Sequence, residues 1–392
     1  MNRLDIHKQA AMLHDLVEGS SLRSVERKHQ VSLNTVLKLL EDGGDMAIDF
    51  FENLKNLQCK HIQADEFHTF VGHRRLKREW AVPGEAWNGN GEIWVYVAID
   101  ADTKMVIDFL PGTHEVYDAT KFMKSVAAKL ARTPHGTFHV RPLVVVDGLP
   151  AYKEASAVAF GTDADVVQII KKKKDTDKNG RKLGRRRYDG EEKVILSGSP
   201  NLKVAHTCFI ERMNLNIRMD NKRFTRKSNA FSKTLLNANR QLALWAMYYN
   251  FCRIHRTLRV TPAMEAGRAD HVWEVHEIVE RMNAFIEERL RLRVANDDEI
   301  YVPGDGGAIA PTHWVYRSTL HYHAKVHTAN CSHCQNGEGQ KRVGKKAGQW
   351  FGYHSYDEAV TAAAAFEPDR HSICNVCLGS YRNAGGYRGP RK

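Results

Sequence analysis

Between residues 60 and 170 apolar patterns of strand and helix follow one another in a definite order. HIQADEFHTF alternates and is rich in strand formers. EIWVYVAID and TKMVIDFLPG read as two strands split by a short polar turn, a hairpin signal. DATKFMKSVAAKLAR has helical spacing, with an acidic start and a basic end that suit the helix dipole. PLVVVDG is the short continuous apolar run of a buried strand, LPAYKEASAVAF is a helix, and DVVQII is a further strand.

Strand, strand, strand, helix, strand, helix, strand is the order of an RNase H-like α/β core, a mixed sheet flanked by helices. The expected domain covers 58–262 and carries a basic insertion over 171–200. That stretch includes KKKKDTDKNGRKLGRRR. A charge run of this kind reads as a solvated loop, or, in a DNA enzyme, as a segment lying on phosphates.

Residues 1–45 read as short helices. In GSSLRSVERKHQVSLNTVLKLLEDGG, Ser21 is a candidate cap, Val31 and Ser32 make a tight turn, and the second helix runs from about Leu33 to Leu40. Gly43-Gly44 reads as its stop. This is helix-turn-helix spacing. Beyond the core, a helical segment over 270–293 has apolar residues at Val272, Val275, Val279, Met282 and Ile286. That stripe needs a partner surface, in its own domain or in a second copy. A small cysteine-bearing module follows over 316–380, and a glycine-rich basic tail over 381–392.

Net charge is +12 in 392 residues, which favours a polyanionic partner, nucleic acid first. No run of 18 apolar residues and no signal-peptide pattern is present, so a cytoplasmic, nucleoid-associated protein without a membrane partner is expected. Four of the seven cysteines form two CxxC pairs, Cys331 with Cys334 and Cys374 with Cys377. Two such knuckles complete a tetrahedral site, so a structural Zn²⁺ is expected, with His327 as a substitute ligand.

Three carboxylates stand out by position. Asp65 sits in the first core strand, Asp147 closes PLVVVDG, and Glu211 lies in a helix beginning near Ala205. In the expected topology the first and fourth strands are neighbours, so their acids approach each other and the later helix brings Glu211 alongside. Glu66 and Asp100 also lie near core strands and compete with Asp65. A strand-end Asp is more often a turn former than a ligand. Together, such acids suit Mg²⁺ or Mn²⁺, hard ions that prefer oxygen. Two ions about 4 Å apart activate an attacking oxygen and stabilise a leaving one.

The strings DEFHTFVG, WVYVAID, VVDGLPAY and IERMNLNIR followed by RFTRKSNAFSKT resemble transposases of the insertion-sequence-one family, in the retroviral-integrase superfamily. The IERxNxxxR string spans Ile210, Glu211, Arg212, Asn214 and Arg218, and the resemblance covers about residues 10–262. It implies that Asp65, Asp147 and Glu211 are the metal-binding triad of a DDE transposase. Such an enzyme cleaves DNA at element ends and transfers strands to a target. The implied partners are double-stranded DNA, as terminal inverted repeats and target, and a second copy in a homodimer or larger assembly on DNA. Two features depart from the family: the cysteine module after the core, and the lack of cysteines before the helix-turn-helix.

Expected DNA contacts are Asn34, Thr35 and Lys38 on the second N-terminal helix, where Asn34 alternatively caps it. Further expected contacts are Lys171, Lys172, Lys173, Lys174, Arg185, Arg186 and Arg187 in the basic stretch, and Arg212 and Arg218 beside Glu211. The alternative function is a domesticated, sequence-specific DNA-binding regulator with an inactive core.

Overall fold

The computed structural model describes residues 4–76, 89–176, 182–297, 312–318, 323–328, 331, 348–353, 355–366 and 371–373. They fall into two compact units, Met1–Val294 and Ala295–Lys392. No described helix is long and apolar enough to cross a membrane.

The first unit opens with α1 (Ile6–Val17), α2 (Leu22–His29) and α3 (Leu33–Glu52). Ser21 caps α2 by accepting from the Ser24 amide, as its position predicts. A three-residue turn follows, with Gln30 left-handed at φ 51°. Ser32, not Asn34, then caps α3 through the Thr35 amide.

The expected stop at Gly43-Gly44 is not where α3 ends. The helix runs on to Glu52. Its glycines serve packing: a Cβ on Gly44 would stand 2.4 Å from the Arg240 Cβ. The partner there is α7 (Leu235–Phe251). Arg240 of α7 clasps Asp45 through Nε at 2.7 Å and Nη2 at 2.9 Å. Residues 1–45 are therefore not a detached domain, because Met12, Leu13, Val25, Val36 and Leu40 share one apolar core with the sheet.

Six strands form that sheet: β1 (His61–Val71), β2 (Gly91–Asp100), β3 (Val106–Gly112), β4 (Leu143–Val146), β5 (Asp165–Thr176) and β6 (Lys182–Ser197). Their order is β3-β2-β1-β4-β5-β6. β1, β2 and β3 form an antiparallel meander, and β4 and β5 join in parallel through crossovers. The helices α4 (Val116–Lys129) and α5 (Ala151–Phe160) make those crossovers. This mixed sheet flanked by helices is consistent with the expected RNase H-like core.

The basic stretch differs from the expected loop. Residues 171–176 continue β5, and β6 pairs back antiparallel from Thr176↔Lys182 to Val166↔Ser197. Cross-strand charge supports the ribbon: Lys172 pairs with Glu192 at 3.1 Å and Lys174 with Asp189 at 2.5 Å. Lys173 and Arg187 are exposed, and the Arg185 and Arg186 side chains lie outside the described residues.

After the sheet come α6 (Cys208–Asp220), α7, the short α8 (Pro262–Glu265) and α9 (Val275–Asp297). On α7, Tyr248, Tyr249 and Phe251 are buried, so they serve the core. On α9, Ile278, Val279 and Met282 are buried in the same core. The apolar stripe is thus satisfied in its first turns within the chain.

The second unit holds β7 (His313–Ser318), β8 (His323–Thr328), β9 (Gly348–Tyr353), α10 (Tyr356–Phe366) and β10 (His371–Ile373). The sheet order is β10-β8-β7-β9. Val315, Val326, Ala359 and Ala363 form its small core. Cys331 is buried, and the His327 Nδ1 lies 3.3 Å from its Sγ. Cys334, Cys374, Cys377 and the tail 381–392 lie outside the described residues.

Candidate metal centre

Strand register explains how two acids 82 positions apart meet. β1 and β4 run parallel, with Ile62 opposite Val144 and Ala64 opposite Val146. The next residues on the two strands are Asp65 and Asp147. Asp147 follows the last residue of β4, where the chain turns away and frees its carboxylate. The Leu149 amide donates to Asp147 Oδ1 at 3.1 Å. The Gln168 amide group fixes the turn by donating to the carbonyls of Asp147 at 3.1 Å and Leu149 at 2.8 Å.

Glu66 joins the pair. One carboxylate oxygen from each of Asp65, Glu66 and Asp147 lies within 4.8 Å of the others. The Glu66 side chain is 6% exposed, and Oε1 accepts from the His114 Nε2 at 3.1 Å. His114 is itself stacked on Trp94, with ring centroids 4.0 Å apart. The other Glu66 oxygen, Oε2, is buried with no hydrogen-bond partner. Asp100 takes no part. It sits at the far end of β2 and accepts from the Thr103 hydroxyl and the Asp102 amide, a turn-forming role.

Glu211 is close to this cluster but outside it. It lies in the first turn of α6, where Thr207 Oγ1 donates to it at 2.6 Å and the Lys171 Nζ pairs with it at 2.5 Å. Two buried side chains aim α6 at the strand. Gln63 Oε1 accepts from the Phe209 and Ile210 amides at 3.1 and 3.0 Å. Asn214 Nδ2 donates to Asp65 Oδ2 at 2.9 Å. Neither Gln63 nor Gln168 stands out in sequence, since each acts on residues nineteen or more positions away.

The electrostatics follow from burial and like charge. Asp65 is held above the usual carboxylate range, first by burial and then by the Asp147 charge. Asp147 is raised by burial and then by Glu66. Glu211 moves the other way. Partial burial would raise it, but the hydrogen bonds from Lys171 and Thr207 outweigh that and lower it.

Three oxygen donors at this spacing, one with an orphaned buried oxygen, fit a hard divalent cation such as Mg²⁺ or Mn²⁺. An acid whose folded pKa is raised binds more protons in the folded than in the unfolded state. Metal-free stability should therefore fall as pH rises from the ordinary carboxylate range to about 7. A divalent ion binding only the folded protein adds about 2.7 kcal/mol at a hundredfold excess over Kd. Melting curves with and without Mg²⁺ should show a shift of several degrees at pH 8 and almost none at pH 5. An equal shift at both values would contradict ion binding by these acids.

Of the remaining expected contacts, Asn34 is exposed on the first turn of α3 and the Thr35 hydroxyl meets Ser32 at 2.9 Å. Lys38 pairs with Asp42. Arg212 is exposed on α6, whereas the Arg218 guanidinium is half-buried 4.9 Å from the Phe67 ring. Lys171 pairs with Glu211 in an exposed ion pair.

No family model matches the chain, and no curated protein matches its sequence. Its backbone is similar to solved transposase structures, at low levels. A Mos1 strand transfer complex has 14% identity over 40% of this chain and 55% of that one, with a TM-score of 0.16. A Mos1 mariner paired-end complex with Mn has 14% identity over 41% and 58%, at 0.17. A piggyBac transposase synaptic complex with hairpin DNA has 11% identity over 77% of each chain, at 0.30. The chain spans a little over half the length of the Mos1 chain in these matches. At such scores the likeness assigns no residue, and the functional reading rests on the site itself.

Proposed function

We propose that this chain is a DDE-type DNA transposase of the insertion-sequence-one kind, acting at element ends on double-stranded DNA. The observation that carries the reading is the meeting of Asp65 and Asp147 on neighbouring strands, with Glu211 on the helix that Asn214 ties to Asp65. Bound Mg²⁺ or Mn²⁺ would supply activation of the attacking oxygen and stabilisation of the leaving one. The residues that would hold the ions are Asp65, Asp147 and Glu211, with Glu66 in the buried cluster beside the first two. Asn214 orients the Asp65 carboxylate. Lys171 and Thr207 keep Glu211 ionised, the form that would be needed to hold an ion. A test is metal-dependent nicking and joining of plasmid DNA that carries the sequences flanking the gene. No nicking in Mg²⁺ or Mn²⁺ by folded protein would end this reading.

Recognition of the ends falls to α2 and α3. Since Ser32 performs the capping, the exposed Asn34 side chain is available at the start of α3 for a major groove, with Thr35 beside it hydrogen-bonded to Ser32. A bidentate Asn–adenine pair discriminates by about 1–3 kcal/mol. Replacing both Asn34 and Thr35 by Ala should weaken binding to element ends about tenfold or more. Binding to random duplex should hardly change, because phosphates dominate that term. Equal losses on both DNAs with a lower melting temperature would refute base reading by this helix.

The cysteine module is read as a structural Zn²⁺ site of Cys331, Cys334, Cys374 and Cys377. Burial of Cys331 beside His327 suits a closed site. Freshly purified, reduced protein should hold about one zinc per chain. Elemental analysis finding none would remove zinc from the account. If Cys331→Ser keeps zinc and His327→Ala loses it, the ligand set changes rather than the metal.

A further inference from the structure

A cleft of about 370 Å³ is bordered by the C-terminal ends of β1 and α6 and by the loop after α6, further along β1 from the carboxylates. Arg74, Arg218, Arg223, Arg226 and Lys227 bring five cations to it, and Phe70, Phe224 and Phe231 bring three rings. No carboxylate is found among its described lining residues.

Two of the guanidiniums are unusual. Arg223 Nη2 and Arg218 Nε are buried with no hydrogen-bond partner. Arg223 has one described hydrogen bond, from Nη1 to Ser232 Oγ at 2.9 Å. Burial alone pushes its guanidinium down to about 10. Burial likewise pushes Arg218 down to about 10, with Arg226 adding like-charge repulsion and the Asp65 carboxylate opposing both in part. Desolvating a cation is costly unless it is paired; Arg223 has no carboxylate acting on it and Arg218 only the Asp65 charge without a hydrogen bond, so keeping both beside a cleft favours an anion there. A guanidinium fork suits a phosphate.

The rings narrow the choice. Phe70 and Phe231 have centroids 6.4 Å apart at 59°, with Lys233 4.3 Å from the Phe231 centroid and Arg74 5.7 Å from that of Phe70. Phe231 is partly accessible, so it offers a face for stacking. A volume near 370 Å³ lies in the range of small-ligand pockets, enough for one nucleotide rather than a duplex.

The location fits as well. Arg218 is four residues beyond Asn214 on α6, hence on the same face, and Asn214 holds Asp65. Thr69, which lines the cleft, is four residues along β1 from Asp65 and on the same face, about 13 Å away at the strand rise, whereas Phe70 is on the opposite face.

We infer that this cleft seats one unstacked nucleotide of the DNA strand entering the carboxylate site. Arg218, Arg223 and Arg226 hold its phosphate, and Phe231 stacks on its base. The inference rests on the reading of the chain as a DNA-processing enzyme. It adds that the strand is locally unpaired where it crosses this cleft, on its way to the carboxylates. Base–aromatic stacking is worth about 1–3 kcal/mol per base, while removing a phosphate contact to single strands lowers the salt slope by about 0.7.

The test is equilibrium binding of a fluorescein-labelled 20-nucleotide oligo-dT, and of the same strand with abasic sites throughout. Both use full-length protein bearing Asp147→Asn, in EDTA, so that neither metal nor chemistry enters. Phosphate contacts elsewhere on the protein cancel in the ratio of the two affinities. We expect the intact strand to bind at least about fivefold tighter than the abasic one. Phe231→Ala, at a partly accessible position, should bring that ratio close to one. Arg226→Gln, at an exposed position, should weaken both strands and lower the salt slope, leaving the ratio unchanged. If the abasic strand binds as well as the intact one, or if Phe231→Ala preserves the ratio, the nucleotide seat is overturned. An unaltered salt slope in Arg226→Gln with Arg223→Lys, at an unchanged melting temperature, would likewise overturn it. None of these outcomes depends on nicking activity, so failure here is distinguishable from failure of the transposase reading.

Discussion

Asp147→Asn should abolish metal-dependent cleavage and strand transfer, by at least about a hundred- to a thousandfold, the scale on which single electrostatic stabilisers act. The substitution keeps the shape of the side chain and removes a charge that would hold an ion. The Leu149 amide and the carbonyls bound by Gln168 keep the turn in place, so the fold should survive. Duplex binding should change by less than about twofold, because phosphate contacts dominate it. Asp65→Asn and Glu211→Gln should behave alike. Glu66→Gln separates two accounts of the first acid. Since Glu66 belongs to the buried cluster and Glu211 to an ion pair, the assignment is open to a direct contest. Retained activity in Asp65→Asn together with complete loss in Glu66→Gln would transfer the first acid's role to Glu66. Full activity in Asp147→Asn would remove the triad altogether. Gel assays of plasmid nicking beside anisotropy binding measure both sides.

Gly44→Ala should destabilise the first unit by about 3 kcal/mol, against the usual gain of nearly 1 kcal/mol for Gly to Ala in a helix. The reason is the crossing of α3 and α7. A Cβ at position 44 would stand 2.4 Å from the Arg240 Cβ and 2.8 Å from its Cα. Backbone cannot yield as a side-chain tip can, so the helices must part, and the Arg240–Asp45 clasp loosens with them. The neighbouring Gly43 is the control. There a Cβ meets only the Leu244 and Leu13 methyls and the Met282 sulfur at 3.4–3.6 Å, near ordinary contact. Gly43→Ala should therefore be neutral or stabilising. Thermal melts should place Gly44→Ala about 5–10 °C below the wild type. Equal melting points for the two variants would mean that the crossing is looser than described.

The same glycines show where sequence reading reached its limit. In isolation a Gly-Gly pair after an apolar run is a helix stop. Its use as a close-packing surface depends on Arg240, nearly two hundred positions away. The sheet was legible for the opposite reason. Apolar alternation in β1 and β2, and the continuous runs in β4 and β5, reflect burial that each strand carries in its own residues. The β5–β6 ribbon was hidden because its lysines and arginines obscure any alternation, and partner acids on the opposite strand carry the pairing. In the site, Asp65 and Asp147 could be matched from strand order, and Glu66 could be seen as a rival. The Lys171–Glu211 pair, the Asn214 hydrogen bond and the His114 contact to Glu66 could not, because each joins elements by side-chain reach rather than by pattern.

The continuity of α3 has a mechanical meaning. One unbroken rod of twenty residues, about 30 Å at the helical rise, carries Asn34 near one end and is bolted at Gly44 to the helix that backs the sheet. On the reading proposed above, the rod acts as a ruler. The spacing between the sequence that is read and the phosphodiester that is cut is set in protein, with no hinge to take up slack. Compliance must then come from the DNA. An end sequence displaced by a single base pair could be accommodated only by bending or twisting the duplex.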